Sequence, residues 1–320
     1  KLPSTGCQLH YQLHGRLEED ASTERVALVA GFLCYHSHWQ PQTDVVPKGW
    51  MMLAYDQRGV GRSESPGGRW ATACLAQDLL ELLAHLGWEQ RVHLVGHSLG
   101  GMVCQEAALL RPELFRSLTL ISSPTRPWPL LSGLCRLFHI VSSTTFDEKI
   151  EAVLRFNFPD GYLSGQEPQA GAYQQASEAL LRHARGNPLI RPGTIIRQAC
   201  AVATHRVGAA RSARLVADGP PVLLVYGELD SMFSCRAYRR TAAALQPQSI
   251  LAIRDAGHGV HEQCADVVNA AIAKHVAAAS ETGFSGPASS QRILGEASVG
   301  AAGKRVGASE SNAVAEPSKV

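Results

Sequence analysis

Val92-His93-Leu94-Val95-Gly96-His97-Ser98-Leu99-Gly100-Gly101-Met102-Val103 joins two different periodicities through one serine. Residues 92–95 form a short apolar run of the kind buried in a parallel sheet, and residues 101–110 suit a helix. Between them stands a G-x-S-x-G pattern centred on Ser98. With Gly and Ser each near about 7% of residues, a chain of this length carries such a pattern by accident on the order of 0.1 times. The flanking strand and helix lower that figure further. A sharp strand-to-helix turn forces the central serine into a strained backbone, and side chains at Gly96 and Gly100 would collide there. The turn also presents the Ser98 hydroxyl at a helix start, whose free N–H groups favour developing negative charge. An ordinary glycine turn is the plainer alternative.

Outward from this stretch the same rhythm repeats. Residues 26–30, 51–55, 118–121, 222–226 and 250–253 read as buried parallel strands, and residues 9–13 alternate like a half-exposed early strand. Leu75, Leu79, Leu82, Leu83 and Leu86 form a helical stripe that ends at Gly87. The expected fold class is therefore α/β, a mostly parallel central sheet with helices on both faces. The strand rhythm lapses over about 124–218, where Phe138, Phe146, Phe156, Phe158 and Tyr162 fall among expected helices. That span is expected to be a largely helical cap inserted into one domain covering 1–280. Residues 281–320, rich in Ala, Gly and Ser, are expected to be a disordered tail.

A serine hydroxyl is a weak nucleophile and needs a base, and the base needs an acceptor that fixes its tautomer. Residues 222–226 run into Gly227-Glu228-Leu229-Asp230, and residues 250–253 run into Arg254-Asp255-Ala256-Gly257-His258. Asp230 and His258 thus follow the carboxyl ends of buried strands, as Ser98 does. In an open parallel sheet that rim is where ligands collect. Residues 231–245 would supply the helix of the crossover between them. Glu228 is the alternative acid and His261 the alternative base. His36 and His38 form an H-x-H pair, read as a surface loop feature in the absence of a partner carboxylate or cysteine nearby. His97 reads as packing, and Trp39 and Phe32 either line an acyl pocket or belong to the core.

On these residues the chain resembles the α/β-hydrolase family, over roughly residues 7–276. Family members carry a nucleophile elbow, matched at Ser98, followed by an acid and a histidine after later strands, matched at Asp230 and His258. Asp56-Gln57-Arg58-Gly59-Val60-Gly61-Arg62-Ser63 resembles a turn common in the family, read as structural. The family's oxyanion hole takes one donor from the residue after the nucleophile, here the Leu99 N–H, and one from an earlier loop. That loop is often written His-Gly-x-x, whereas this chain has Ala30-Gly31-Phe32-Leu33, so the second donor falls to the Phe32 N–H. The missing histidine leaves open what holds the loop. The resemblance implies a serine esterase, lipase-like hydrolase that cleaves a carboxylic ester, such as an acylglycerol or other lipid ester, without metal or organic cofactor. The same fold serves cofactor-free haloperoxidases, carbon–carbon bond hydrolases and acyltransferases, and a non-catalytic binding relative is the remoter alternative.

Bulk properties narrow the partners. The 320 residues are 45% hydrophobic and 18% charged, with a formal net charge of +2. So small a charge gives no electrostatic reason to expect nucleic acid or an anionic membrane, and no stretch reaches the ~20 apolar residues of a membrane span. A small-molecule acyl substrate is the expected partner, and oligomeric state is not legible. The eight cysteines lack the close spacing of a zinc or redox motif and are read as reduced, although their even number also permits disulfides. Cytoplasmic location is the expectation, with a targeting segment left open because the chain begins at Lys1.

Overall fold

The computed structural model describes residues 1–15, 23–127, 145–164, 172–188, 190–281, 292–293 and 318–319. Its strands are β1 (His10–Gly15), β2 (Glu24–Val29), β3 (Trp50–Tyr55), β4 (Val92–His97), β5 (Phe115–Ile121), β6 (Val222–Gly227), β7 (Ser249–Ile253), β8 (Arg292–Ile293) and β9 (Ser318–Lys319). They form one nine-stranded sheet in the order β8-β7-β6-β5-β4-β2-β3-β1-β9. Pairing is parallel from β3 through β8, whereas β1 runs antiparallel to both β3 and β9.

Each expected strand appears: β3 to β7 gain one to three residues at one end, whereas β1 starts one residue later and β2 ends one residue earlier than expected, each extending by two at its other end. Side chains of successive residues leave a strand on opposite faces, and the core divides accordingly. Ala27, Val29, Leu53, Leu94, Leu118, Leu120 and Leu224 enter one apolar layer. Val26, Leu28, Ala54, Val95, Ile121, Leu223 and Val225 enter the other. The first layer is closed by the helices Thr72–His85, Leu99–Leu110 and Ala209–Asp218, and the second by Ala265–Glu281. The helix Thr72–His85 ends where Gly87 takes φ +68°, with Gly87 N–H on Ala84 O (3.0 Å) and Trp88 N–H on Leu83 O (2.8 Å). That pair of bonds is the left-handed stop that satisfies the last free carbonyls of a helix.

The chain reaches β4 by stepping back over β2, so strand order reverses between these two neighbours. The crevice beyond the carboxyl ends at such a reversal is where open α/β sheets bind ligands. Helices Phe146–Asn157, Asp160–Leu163, Ala172–Gly186, Pro192–Thr204 and Ala209–Asp218 lie between β5 and β6. The first and fourth of them reach the loops at those carboxyl ends: Phe156 O accepts from Ser231 Oγ (3.0 Å), Asn157 O from Gly259 N (2.8 Å) and Gln198 Oε1 from Leu33 N (2.9 Å). Ala209–Asp218 instead packs on the sheet face, where Leu215 joins the first layer. Phe138 and the rest of 128–144 lie outside the described residues, as does most of the 281–320 tail. Among the described residues no helix is long and apolar enough to cross a membrane, and Cys7, Cys34, Cys74, Cys104, Cys200, Cys235 and Cys264 are free thiols.

The 56–63 turn is built as a clamp. Asp56 Oδ2 accepts from Arg62 N (3.0 Å), Ser63 Oγ donates to Asp56 O (2.6 Å) and His10 N donates to Ser63 Oγ (2.9 Å). Arg58 makes two hydrogen bonds to Asp78, both side chains being buried, while its guanidinium lies 5.7 Å from the Trp70 ring. Removing one member of a buried pair leaves the other charge without compensation. Asp78→Ala is therefore expected to lower stability by about 3–5 kcal/mol, read from urea unfolding with an unchanged slope. A change below about 1 kcal/mol would show that Arg58 finds water instead.

Candidate active site

The turn after β4 sets the site. Ser98 has φ 52° and ψ −119°, in the left-handed half of the map that residues other than glycine avoid. Its N–H donates to Ile121 O (2.8 Å), so β5 holds the turn from one side. On the other side the backbone of β2 comes so near that a Cβ on Gly100 would lie 1.9 Å from Val29 O. A Cβ on Gly96 would lie 2.6 Å from Gly100 O. No side chain fits at either position, which is the steric content of the glycine spacing. The strained conformation lifts Ser98 Oγ out of the sheet at the residue that precedes the helix Leu99–Leu110.

Two loops from the far half of the sheet meet this serine. His258 Nε2 lies 2.9 Å from Ser98 Oγ, and His258 Nδ1 lies 2.8 Å from Asp230 Oδ2. The three side chains thus form one hydrogen-bonded row, with Ser98 6% and His258 2% exposed. Asp230 Oδ1 accepts from the N–H groups of Met232 (2.7 Å) and Phe233 (3.0 Å), and the Tyr238 hydroxyl donates to Oδ2. Burial alone would raise the Asp230 carboxyl, but the neighbouring His258, Tyr238 and Phe233 N–H outweigh it and hold it below its ordinary range. Closing this turn around the carboxylate occupies residues 231–234, so the helix expected over 231–245 begins only at Cys235.

The loop carrying His258 is held by its backbone. His258 O accepts from His97 Nε2 (3.0 Å) and Ser122 Oγ (2.8 Å), and Gly257 N donates to Gln263 Oε1 (2.9 Å). His97, read from sequence as packing, therefore ties the residue before the serine to the histidine that faces it. Burial and the nearby His258 push its imidazole down to about 3, so His97 stays neutral. The Phe156 and Phe233 rings stand edge-on to the His258 ring at 5.4 and 5.6 Å.

The alternatives lie elsewhere. Glu228 is exposed, and its carbonyl accepts from Cys235 Sγ (3.3 Å). His261 packs its ring against His97 (4.2 Å) and Trp39 (5.0 Å), away from the serine row. Trp39 belongs to the second apolar layer, while Phe32 is only partly buried. The H-x-H pair is not a surface feature, since His36 is only 8% exposed. Its backbone N–H and Nδ1 each lie 2.8 Å from Asp56 Oδ1, a carboxylate twenty residues away that the spacing did not reveal. His10, His36 and Asp56 could each offer one atom to a metal within 4.8 Å of one another, but Asp56 is already engaged by His36 and by Arg62 N. His38 stacks on His183 at 4.4 Å.

The loop of Phe32 follows β2, whose Val29 pairs with Gly96 of β4, so it lies beside the serine turn. Two glutamines hold it where the family histidine is absent. Gln57 Nε2 donates to Ala30 O (2.6 Å) and Gln198 Oε1 accepts from Leu33 N (2.9 Å). Neither glutamine stands out in the sequence, because each acts from a different element. Among the described residues the N–H groups of Phe32 and Leu99 have no protein acceptor.

A family profile for the alpha/beta hydrolase fold matches residues 25–263. A relative from Stutzerimonas stutzeri, provisionally named carbamate hydrolase RutD, is 41% identical over 123 residues, which is 38% of this chain and 45% of that protein. Another of the same name from Agrobacterium fabrum is 27% identical over 281 residues, 86% of this chain and 100% of the relative. Among solved structures, a hydrolase from Pseudomonas aeruginosa PA01 superposes with a TM-score of 0.68 at 24% identity, covering 86% of this chain and 97% of its own. With the profile spanning most of the chain and the sheet order described above, this protein belongs to the α/β hydrolase family and is a hydrolase of that fold.

Proposed function

We propose that the protein is a serine hydrolase that cleaves a carboxylic ester through an acyl-enzyme, with Ser98 as nucleophile, His258 as general base and Asp230 as the acid that orients it. The observation that carries this reading is the unbroken row from Ser98 Oγ to His258 Nε2 (2.9 Å) and from His258 Nδ1 to Asp230 Oδ2 (2.8 Å). In the first half-reaction Ser98 Oγ attacks the acyl carbon while His258 takes its proton. The oxyanion is held by the N–H groups of Phe32 and Leu99, and the alcohol leaves with the proton from His258. Water then repeats the sequence on the acyl-enzyme. Ionised Asp230 stabilises the imidazolium in each half without taking the proton itself. The rings of Phe156 and Phe233 give the site apolar walls, which suits an acyl chain. The helices Phe146–Asn157 and Pro192–Thr204 act as the cap over it.

The relatives provisionally named carbamate hydrolase favour a second reading, in which the acyl carbon belongs to a carbamate. The same attack and the same oxyanion serve both, but when the alcohol leaves a carbamate the group retained on Ser98 is a carbamoyl rather than a carbon-linked acyl group, and water then removes it. Parallel assays on a p-nitrophenyl ester series and on carbamates rank the two.

Ser98→Ala is expected to abolish turnover of whichever substrate is cleaved while leaving the melting temperature within a few degrees; substantial residual hydrolysis would remove Ser98 from the reaction. Asp230→Asn is expected to lower kcat by ~10⁴ by favouring the wrong imidazole tautomer. Glu228→Gln is expected to change kcat by less than about twofold, and the reverse ranking would transfer the role of acid to Glu228.

A further inference from the structure

Asp230 has more donors than a triad acid needs. Its Oδ1 is pinned by two backbone N–H groups, from Met232 (2.7 Å) and Phe233 (3.0 Å), which fix the direction of the carboxylate. The Tyr238 hydroxyl nevertheless donates to Oδ2, the same oxygen that His258 Nδ1 reaches at 2.8 Å. Tyr238 is wholly buried, stacks on Tyr226 with ring centres 4.5 Å apart and planes 16° from parallel, and shares a small apolar cluster with Met102, Phe233 and Ala237. Packing alone would be served as well by phenylalanine, so the hydroxyl calls for a role of its own.

A second donor on one carboxylate oxygen withdraws charge from it and weakens its attraction for a neighbouring cation. We propose that Tyr238 is a positioning residue of the reaction that acts through Asp230: its hydroxyl shares Oδ2 with the imidazole and limits how tightly the carboxylate holds a proton on His258. For its catalytic consequence this rests on the acyl-transfer reading above. Tyr238 touches none of the reacting atoms.

The direction of donation follows from the surroundings. Burial and the adjacent Asp230 push the Tyr238 phenol well above its ordinary range, so it keeps its proton, whereas Asp230 is held below its own. The other titratable groups around the pair are His97 and His261 beside His258, Cys235 beside Asp230 and Tyr226 stacked on Tyr238. Burial is the main cause that lowers both imidazoles and raises the thiol and the Tyr226 phenol, so all four stay uncharged and the Tyr238 hydroxyl is the feature that varies. Without it Oδ2 presents more negative charge to the imidazolium, so His258 should release its proton at higher pH. Too tight a hold would keep the base occupied and lower the fraction of enzyme ready to accept the Ser98 proton.

The test is an NMR titration of the full chain carrying ¹⁵N-histidine, with His258 assigned by comparison with His258→Gln. Tyr238→Phe is expected to raise the His258 titration midpoint by on the order of half a unit. 3-Fluorotyrosine at position 238, a stronger donor of nearly the same shape, is expected to lower it. Where the protein hydrolyses an ester, the acid limb of kcat/KM should move with each variant, whereas a purely structural role would lower kcat with the limb in place. A midpoint that stays put, or moves the same way in both proteins, overturns the proposal. If the phenylalanine variant does not fold, the fluorotyrosine protein decides alone. Opposite shifts without Ser98-dependent hydrolysis would support the Tyr238 coupling and count against the acyl-transfer reading only.

Discussion

The backbone of Ser98 is the constraint from which the rest of the site is built. A residue with a side chain occupies φ 52° only when its surroundings hold it there, and such strain is of order 1–3 kcal/mol. Here β5 takes its N–H, and the helix Leu99–Leu110 is drawn down against β2 through glycines that admit no Cβ. The same turn puts the serine at the reversal of strand order and at the positive end of a helix dipole. Position, strain and field are thus three results of one local geometry.

A strained serine has value only if its partners arrive with comparable accuracy, and the remaining architecture bears on that. Parallel pairing of β6 with β7 brings the loops of Asp230 and His258 out on the same rim, and their backbones are laced together: Glu228 N bonds Ile253 O (2.9 Å) and Leu229 N bonds Ala256 O (3.0 Å). The side chains are then fixed by polar groups that are themselves buried. His97 and Ser122 hold the His258 carbonyl, while Gln57 and Gln198 hold the loop of Phe32. Burying so many polar groups is unfavourable unless each finds a partner, and the networks here offset that cost in part: Gln57 Oε1 and Gln198 Nε2 are buried with no partner among the described residues. Asp56 does the same for the loop before Gln40, accepting both the N–H and the ring of His36.

What could be read from the sequence were features with a local signature. Strands announced themselves as apolar runs, the elbow as Gly96-His97-Ser98-Leu99-Gly100, and Asp230 and His258 as polar residues four and five positions past such runs. The row they form needed only the rule that parallel strands end on one rim. Illegible were contacts between residues far apart in sequence with no pattern of their own: His36 with Asp56, Gln198 with Leu33, Tyr238 with Asp230. Nothing in one-dimensional spacing marks Tyr238 as more than a core aromatic, since its ring does what core aromatics do and only its oxygen differs. The start of the helix at Cys235 was missed for a related reason, because the backbone of residues 231–234 is spent wrapping the Asp230 carboxylate.

The central claim is that the imidazole of His258 activates the hydroxyl of Ser98. Mass spectrometry of the protein after reaction with a fluorophosphonate probe tests it most directly, comparing the native chain with His258→Ala. The account predicts a single adduct on the peptide containing Ser98 in the native chain and its loss in the variant. An adduct on another residue, or equal labelling with and without the imidazole, would contradict it.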